Sequence, residues 1–177
     1  MTTQRDLTNS ARQLAQVLFQ KELRVVFAES CTGGLVSNAL TRIAGISEWH
    51  CGSAVVYRIE TKALWLGIGR DVLDDPGPVS ELVAGLMAEN VLAKTPEADV
   101  AASVTGHLGP NAPADQDGLI FVGVSRRLDK DKPPKTIVKR HVLEPGRPGL
   151  SGVGLRNRRQ LAAARFVLDT LRNQLQR

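Results

Sequence analysis

Two apolar segments near the middle of the chain follow each other with no helical pattern between them. Residues 98–104 (ADVAASV) and 119–124 (LIFVGV) are typical of buried strands, and a loop rich in Gly, Pro and Asp separates them. A further strand is predicted at residues 137–143. Strands joined by loops pair antiparallel, whereas strands joined through helices pair parallel. The order therefore favours a mixed sheet over an all-parallel one.

Helices and strands alternate in the first half of the chain. Apolar residues at helical spacing begin with Leu7, Ala11, Leu14, Ala15 and Leu18, and a Leu-rich and Val-rich segment later in the chain has candidate core positions at Leu82, Leu86, Met87, Val91 and Leu92. The patterns predict helices over residues 4–21, 33–43, 59–66, 81–94 and 155–175, and earlier strands over 23–28 and 53–57. We expect an α/β protein, a single three-layer α/β/α sandwich with a mixed sheet, in which residues 1–177 form one domain.

Composition narrows the classes of function. Hydrophobic residues make up 42% and charged residues 23%, as in soluble globular proteins, and the first residues have no signal-peptide core, so we expect a cytoplasmic protein without a membrane span. Two cysteines and three histidines in no metal-binding spacing argue against a metal site. The net charge of +5 suits an anionic partner, but 4% aromatic residues provide little base stacking. An anionic small molecule fits at least as well as nucleic acid, and we rate nucleic acid as the less favoured partner.

The segment AESCTGG, residues 28–34, lies where a strand passes into a helix. Three interpretations stay open on local chemistry alone. Ser30 or Thr32 could cap the helix, or N–H groups beside Gly33 and Gly34 could hold an anion at the helix start. Alternatively, Ser30 could be a nucleophile on a tight turn, with the same N–H groups stabilising the oxyanion. Cys31 is a stronger nucleophile at such a position, or a core residue.

Longer motifs resolve these alternatives by resemblance. AESCTGG resembles the signature of the CinA C-terminal domain family, the nicotinamide-nucleotide amidohydrolases that deamidate nicotinamide mononucleotide. Similarity continues in order from about residue 5 to 175. The further matching positions are Ala44-Gly45-Ile46-Ser47, Gly52, Val55, Tyr57, Glu60, Lys62, Leu66-Gly67-Ile68, Val79-Ser80-Glu81, Met87-Ala88-Glu89, the segment VTGHLGP from Val104 to Pro110, Gly118, and Arg158-Arg159-Gln160.

The resemblance implies hydrolysis of the carboxamide to nicotinate mononucleotide and ammonia without metal or cofactor, by a homo-oligomer. It implies Ser30 as nucleophile, with Tyr57 or Lys62 transferring protons, while no histidine matches a catalytic position. Substrate-binding positions carried over from the family are Glu29, Cys31, Thr32, Gly33, Gly34, Thr105, Gly106, Gly109 and Arg158. Ser30 and Thr105 would line one crevice if their strands are neighbours.

Three segments depart from the family pattern. A Ser-Asn pair is replaced by Arg58-Ile59, residues 107–115 differ from the family's glycine-rich loop, and a Gly-Asp-Arg before the last helix is Gly152-Val153-Gly154 here. The last change removes a basic residue suited to a phosphate, for which Arg147, Arg156 and Arg158 are candidate replacements. The alternative function is a non-catalytic or diverged nucleotide-binding or regulatory domain, linked to competence or DNA damage.

Overall fold

A five-stranded mixed sheet forms the centre of the protein. The computed structural model describes residues 2–129, 132–145 and 152–177. The strands are β1 (Val25–Glu29), β2 (His50–Val55), β3 (Val100–Gly106), β4 (Leu119–Arg126) and β5 (Lys135–Val142), in the order β2-β1-β3-β4-β5. β1 pairs parallel with both β2 and β3, whereas β4 pairs antiparallel with β3 and β5. The predicted mixed sheet is confirmed.

Helices cover both faces of this sheet. They are α1 (Gln4–Lys21), α2 (Leu35–Thr41), α3 (Ile59–Leu66), α4 (Arg70–Asp74), α5 (Glu81–Ala93) and α6 (Gly152–Leu175). α1, α2 and α6 pack together over one face in a large apolar cluster, and α5 lies on the opposite face with α3 and α4 beside it. The three-layer α/β/α arrangement is therefore as predicted. Within the described ranges, no helix is both long and apolar enough to cross a membrane.

The first helix shows how closely local sequence determines structure here. Thr3 caps α1 by accepting the Asp6 N–H, and the Asp6 side chain accepts the Thr3 N–H in return, which makes a capping box. All five apolar positions predicted for its inner face are buried. The helix spans Gln4–Lys21, the predicted bounds.

Other predictions were wrong in detail. Leu82 was expected in the core but is 49% exposed, because it follows the Ser80 cap on the outer side of α5, where Val83 and Ala84 face inward instead. α4 was not predicted, since five residues are too few to show a helical period. Tyr57 was placed at the end of a strand, but β2 ends at Val55 and Tyr57 lies in the connection to α3.

The topology brings the ends of two neighbouring strands together. Because β1 and β3 are parallel, both end at the same edge of the sheet, where Glu29 lies opposite Val104. The Ser30 N–H donates to the Val104 carbonyl at 3.0 Å, so the residue after β1 is tied to the end of β3. This confirms that the strands leading to Ser30 and Thr105 are neighbours. Open α/β sheets usually bind ligands at such an edge.

α5 approaches the sheet closely at one glycine. A methyl group added to Gly123 on β4 would lie 2.4 Å from the Ala84 carbonyl oxygen and 2.7 Å from Ser103 Oγ. Ser103 Oγ in turn donates to that carbonyl at 2.6 Å. Only a residue without a side chain fits between the helix and the strand here.

We expect Gly123→Ala to lower the free energy of unfolding by at least about 2 kcal/mol, because the helix backbone would have to move. Gly85→Ala on α5 is the matched control. Its new methyl group would meet Val138 at an ordinary 3.5 Å, and alanine favours the helix by about 0.5–1 kcal/mol, so this variant should be more stable. Denaturant unfolding of both variants measures the difference, and equal effects would contradict the close approach.

Candidate active site

A crevice of about 260 Å³ opens at the edge of the sheet where β1 and β3 end. Its walls come from the turn after β1, the start of α3, the segment before α5, the loop after β3 and the start of α6. The residues lining it are Ser30, Cys31, Tyr57, Ile59, Lys62, Pro78, Val79, Thr105, Gly106, His107, Leu108, Gly109, Pro110, Asn111, Ala112 and Arg156. The predicted Ser30, Tyr57, Lys62 and Thr105 thus meet in one place.

Lys62 lies directly against the Ser30 hydroxyl. Its Nζ donates to Ser30 Oγ at 3.0 Å and to the Val56 carbonyl at 2.9 Å. The lysine is on the inner face of α3 and only 2% exposed, whereas Glu60 and Leu64 on the same helix are exposed. The fold therefore brings a serine and a lysine 32 residues apart within hydrogen-bond distance.

Burial changes the acid–base chemistry of Lys62. Removal from water destabilises the ammonium form and lowers the pKa of Lys62 from 10.5 to about 8. At neutral pH about one molecule in ten would then hold a neutral amine, against fewer than about one in a thousand for an ordinary lysine. A neutral amine beside a hydroxyl can act as a general base.

Cys31 is a core residue and not an activated thiol. Its side chain is buried in the apolar cluster beneath α2 and α6, and this burial raises the pKa of Cys31 to about 12. A thiol that stays protonated is a poor nucleophile. Of the alternatives that the sequence left open for Cys31, the structure supports core packing.

Glu29 caps α2, a role that one of the three interpretations of the sequence gave to Ser30 or Thr32. Its carboxylate accepts the N–H groups of Gly34, Val36 and Ser37 at 2.9–3.0 Å. Because Glu29 serves this purpose, Ser30 Oγ is left to contact Lys62. The capping interpretation of Ser30 is wrong.

The expected substrate contacts of the signature need a matching correction. Glu29 and Thr32 are buried behind Ser30, and neither they nor Gly33 and Gly34 line the crevice. The Gly33 N–H donates to the Ser30 carbonyl, and the Gly34 N–H donates to Glu29. These two amides are occupied, so they do not supply the oxyanion donors that the sequence suggested.

The wall opposite α3 is the loop after β3, which other elements hold in place. Arg159, nearly fully buried, makes a two-pronged contact with Asp117 at 2.6 and 2.7 Å, which lowers the pKa of the Asp117 carboxyl. Thr105 donates its hydroxyl to the Pro78 carbonyl at 2.7 Å. Gly109 has a left-handed φ of 61°, and a side chain there would meet Arg159 Nη1 at 2.9 Å. Much of this wall, residues 107–112, belongs to a segment that departs from the family pattern.

Arg156, and not Arg158, borders the crevice. Its guanidinium donates to the Gly109 carbonyl at 2.9 Å and to the Tyr57 hydroxyl at 2.6 Å, so it links the two walls. Arg158 lines a different cavity of about 600 Å³, between the end of β5 and α6. Side chains two positions apart on a helix are rotated by about 200° around its axis, which explains why Arg156 and Arg158 face different ways. Arg147 lies outside the described residues.

The crevice also contains residues to which the sequence analysis gave no role in the site. Ile59, Pro78, Val79 and Asn111 add apolar and amide surface to its walls. Ile59 and Asn111 lie in segments that depart from the family pattern and Val79 lies in a matching one, whereas no signal in the sequence pointed to Pro78. In the described part of the chain, no group of three or more His, Cys, Asp or Glu side chains could hold a metal ion.

The chain is similar in sequence to proteins of one known family. A profile of the CinA C-terminal domain matches residues 7–175. A protein of Clostridioides difficile strain 630, named as competence-damage inducible, is 35% identical over 166 residues, which cover 93% of this chain and 36% of the relative. A "CinA-like protein" of Prochlorococcus marinus strain MIT 9301 is 43% identical over 114 residues, covering 63% and 27%. The chain thus spans about a third of the length of such relatives.

Solved structures share the whole fold. The competence/damage inducible protein CihA from Agrobacterium tumefaciens superposes with a TM-score of 0.81 at 32% identity, covering 97% of this chain and 96% of that one. A CinA superfamily protein from Klebsiella pneumoniae 700603 gives a TM-score of 0.83 at 22% identity, covering 96% and 98%. The second comparison supports the fold alone.

The pKa of Lys62 predicts a pH-dependent stability difference between the unmutated chain and Lys62→Met. Between pH 8 and 10.5 the unfolded chain holds the lysine proton and the folded chain does not, so unfolding takes up a proton and becomes less favourable as pH rises. Relative to Lys62→Met, the unmutated chain should therefore gain roughly 2–3 kcal/mol from neutral pH to pH 10.5. Urea unfolding of both proteins across this pH range measures the difference in their free energies of unfolding. Lys94→Met, which removes an exposed lysine, is the control and should differ from the unmutated chain by the same amount at every pH. A difference between Lys62→Met and the unmutated chain that does not change with pH would contradict the lowered pKa.

Proposed function

The chain belongs to the CinA C-terminal domain family, and from that premise and the geometry of the crevice we propose that it hydrolyses the carboxamide of nicotinamide mononucleotide. The products are nicotinate mononucleotide and ammonia, so the enzyme is an amidase of pyridine nucleotide salvage. The observation that supports this most is the 3.0 Å contact between Ser30 Oγ and Lys62 Nζ, with an amine pKa of about 8. Amide hydrolysis needs a nucleophile and a base at this separation.

In the first half of the reaction, Ser30 Oγ attacks the carboxamide carbon and its proton passes to the neutral Lys62 amine. The tetrahedral intermediate collapses as the new Lys62 ammonium gives that proton to the departing nitrogen, which leaves as ammonia. The C–N bond breaks and an ester between the nicotinoyl group and Ser30 remains. The Gly33 and Gly34 amides are occupied, so they do not hold the oxyanion of the intermediate.

In the second half, water attacks the ester carbon and Lys62 takes its proton. The C–O bond to Ser30 breaks, and Lys62 returns a proton to Oγ. Lys62 thus serves both steps, and no metal or cofactor is needed. Tyr57 is 56% exposed and its hydroxyl accepts from Arg156, so we assign it to the substrate at the mouth of the crevice and not to proton transfer with Ser30.

Arg156 is the group best suited to the phosphate of the mononucleotide. A guanidinium binds phosphate oxygens with paired, charge-assisted hydrogen bonds. Arg156 lies at the start of α6 and borders the crevice, which suits it to replace the arginine that the Gly152-Val153-Gly154 segment lacks. The carboxamide would then point inward to Ser30 and the phosphate outward to Arg156.

Turnover of nicotinamide mononucleotide, followed as ammonia release, tests the proposal. Ser30→Ala should abolish it, whereas Cys31→Ala should retain most of it because the thiol stays protonated. In the unmutated chain, kcat/KM should rise with pH to a plateau with a midpoint near 8, as Lys62 loses its proton. Binding without any turnover would instead favour the nucleotide-binding or regulatory alternative, and full activity in Ser30→Ala would reject the mechanism.

A pair of substrates tests Arg156. Arg156→Gln should raise KM for nicotinamide mononucleotide about tenfold to a hundredfold, since a charged hydrogen bond to phosphate contributes about 1.5–3 kcal/mol. The corresponding riboside has no phosphate, so its kcat/KM should change by less than about threefold. Arg158→Gln is the matched control and should affect neither substrate. An equal loss of kcat/KM with both substrates would show that Arg156 maintains the shape of the crevice but does not bind the phosphate.

A further inference from the structure

Glu29 is a buried carboxylate immediately before the proposed nucleophile. It ends β1, the central strand of the parallel part of the sheet, and is only 1% exposed. A carboxylate in such a place is strongly unfavourable unless hydrogen bonds replace its contacts with water. The carboxylate of Glu29 must therefore accept hydrogen bonds from groups inside the protein.

Five uncharged donors meet the two carboxylate oxygens. Oε2 accepts from Thr32 Oγ1 at 2.7 Å and from the Gly34 and Val36 N–H groups at 3.0 Å. Oε1 accepts from the Ser37 N–H at 2.9 Å and from Ser53 Oγ at 3.1 Å. The three N–H groups belong to the start of α2, whose N-cap residue Gly34 has no side chain of its own to satisfy them.

These contacts close a short loop with Ser30 inside it. The loop leaves β1 at Glu29 and returns to Glu29 through Thr32 and Gly34. The Ser30 backbone is also fixed on both sides, because its N–H donates to Val104 and its carbonyl accepts from Gly33, each at 3.0 Å. What remains free is the rotation of the Ser30 side chain, which places Oγ at 3.0 Å from Lys62.

We propose that Glu29 is a positioning residue for the reaction: its carboxylate holds the turn that keeps Ser30 Oγ within reach of Lys62. This inference rests on the proposed function only in taking Ser30 as the nucleophile. It also leaves no place for a substrate anion at the start of α2, since the carboxylate of Glu29 already fills the position that an anion would occupy there.

Glutamine cannot replace Glu29 in this role although it has the same shape. Its amide offers one acceptor and one donor group where the carboxylate offers two acceptors. If the glutamine NH₂ group took the place of Oε1, it would face the Ser37 N–H group, which is also a donor. If it took the place of Oε2, it would face the N–H groups of Gly34 and Val36. In either orientation at least one backbone N–H loses its acceptor, and the turn has to shift.

Labelling of Ser30 by phenylmethanesulfonyl fluoride measures its reactivity without depending on the natural substrate. Ser30 Oγ forms the new S–O bond, fluoride leaves, and the hydroxyl proton passes to Lys62. In the full chain, Glu29→Gln should be labelled at Ser30 at least about tenfold more slowly than the unmutated chain, by mass spectrometry of the Ser30 peptide. Its kcat for nicotinamide mononucleotide should fall similarly, with KM within about threefold. Glu48→Gln, which alters an exposed carboxylate far from the turn, should match the unmutated chain.

The outcomes separate this proposal from a purely structural role and from the proposed substrate. A structural role alone would lower the unfolding midpoint but leave the labelling rate of folded Glu29→Gln unchanged, and that result overturns the proposal. Absence of any label on Ser30 in the unmutated chain overturns it as well. If labelling slows in Glu29→Gln but no variant turns over nicotinamide mononucleotide, the positioning role of Glu29 is supported and the proposed substrate is rejected.

A second variant keeps the test decisive if Glu29→Gln does not fold. The double substitution Thr32→Val with Ser53→Ala removes two of the five donors and leaves the carboxylate and all three backbone contacts. Labelling of Ser30 in this variant should slow by about threefold or more. A rate equal to that of the unmutated chain would overturn the proposal.

Discussion

The Lys62 amine lies inside the protein, between the Ser30 hydroxyl and the Val56 carbonyl. It stays there because α3 is held against the sheet, through Leu66 at the end of the helix and Ile68 just after it, in the apolar cluster on that face. The same burial that makes the ammonium form unfavourable gives the amine a pKa near 8. The chemistry of the site is therefore a property of the packing around α3, and a loosened α3 would return an ordinary, protonated lysine.

The signature AESCTGG combines support and chemistry in adjacent residues. Glu29 faces the start of α2, Ser30 faces the crevice and Cys31 packs into the core, so consecutive side chains point to three different surroundings. Gly33 and Gly34 follow with left-handed φ values of 62° and 97°, which let the chain turn sharply enough for Glu29 to reach α2. A short segment can do this because the support comes from one carboxylate instead of from neighbouring loops.

The fold could be predicted from the sequence where the pattern was long or the connection unambiguous. α1 repeats its apolar positions over five turns, and the successive strands β3, β4 and β5 required antiparallel pairing. The orientation of individual side chains could not be predicted in the same way. The sequence does not show which of Arg156 and Arg158 faces the crevice until the orientation of α6 about its axis is known. It also does not show whether the acidic residue before Ser30 contacts a ligand or caps a helix. Both questions depend on tertiary contacts that no local pattern encodes.

The two halves of the site depend on different parts of the chain. Ser30 and Lys62 are 32 residues apart, whereas the contacts of Arg156 with Gly109 and of Arg159 with Asp117 span 47 and 42 residues and are made by α6. The base and the nucleophile therefore belong to elements that precede α6, whereas one wall of the crevice depends on that helix. Detachment of the start of α6 would break the contacts of Arg156 and Arg159 and remove that wall of the crevice, without itself breaking the hydrogen bond between Lys62 and Ser30.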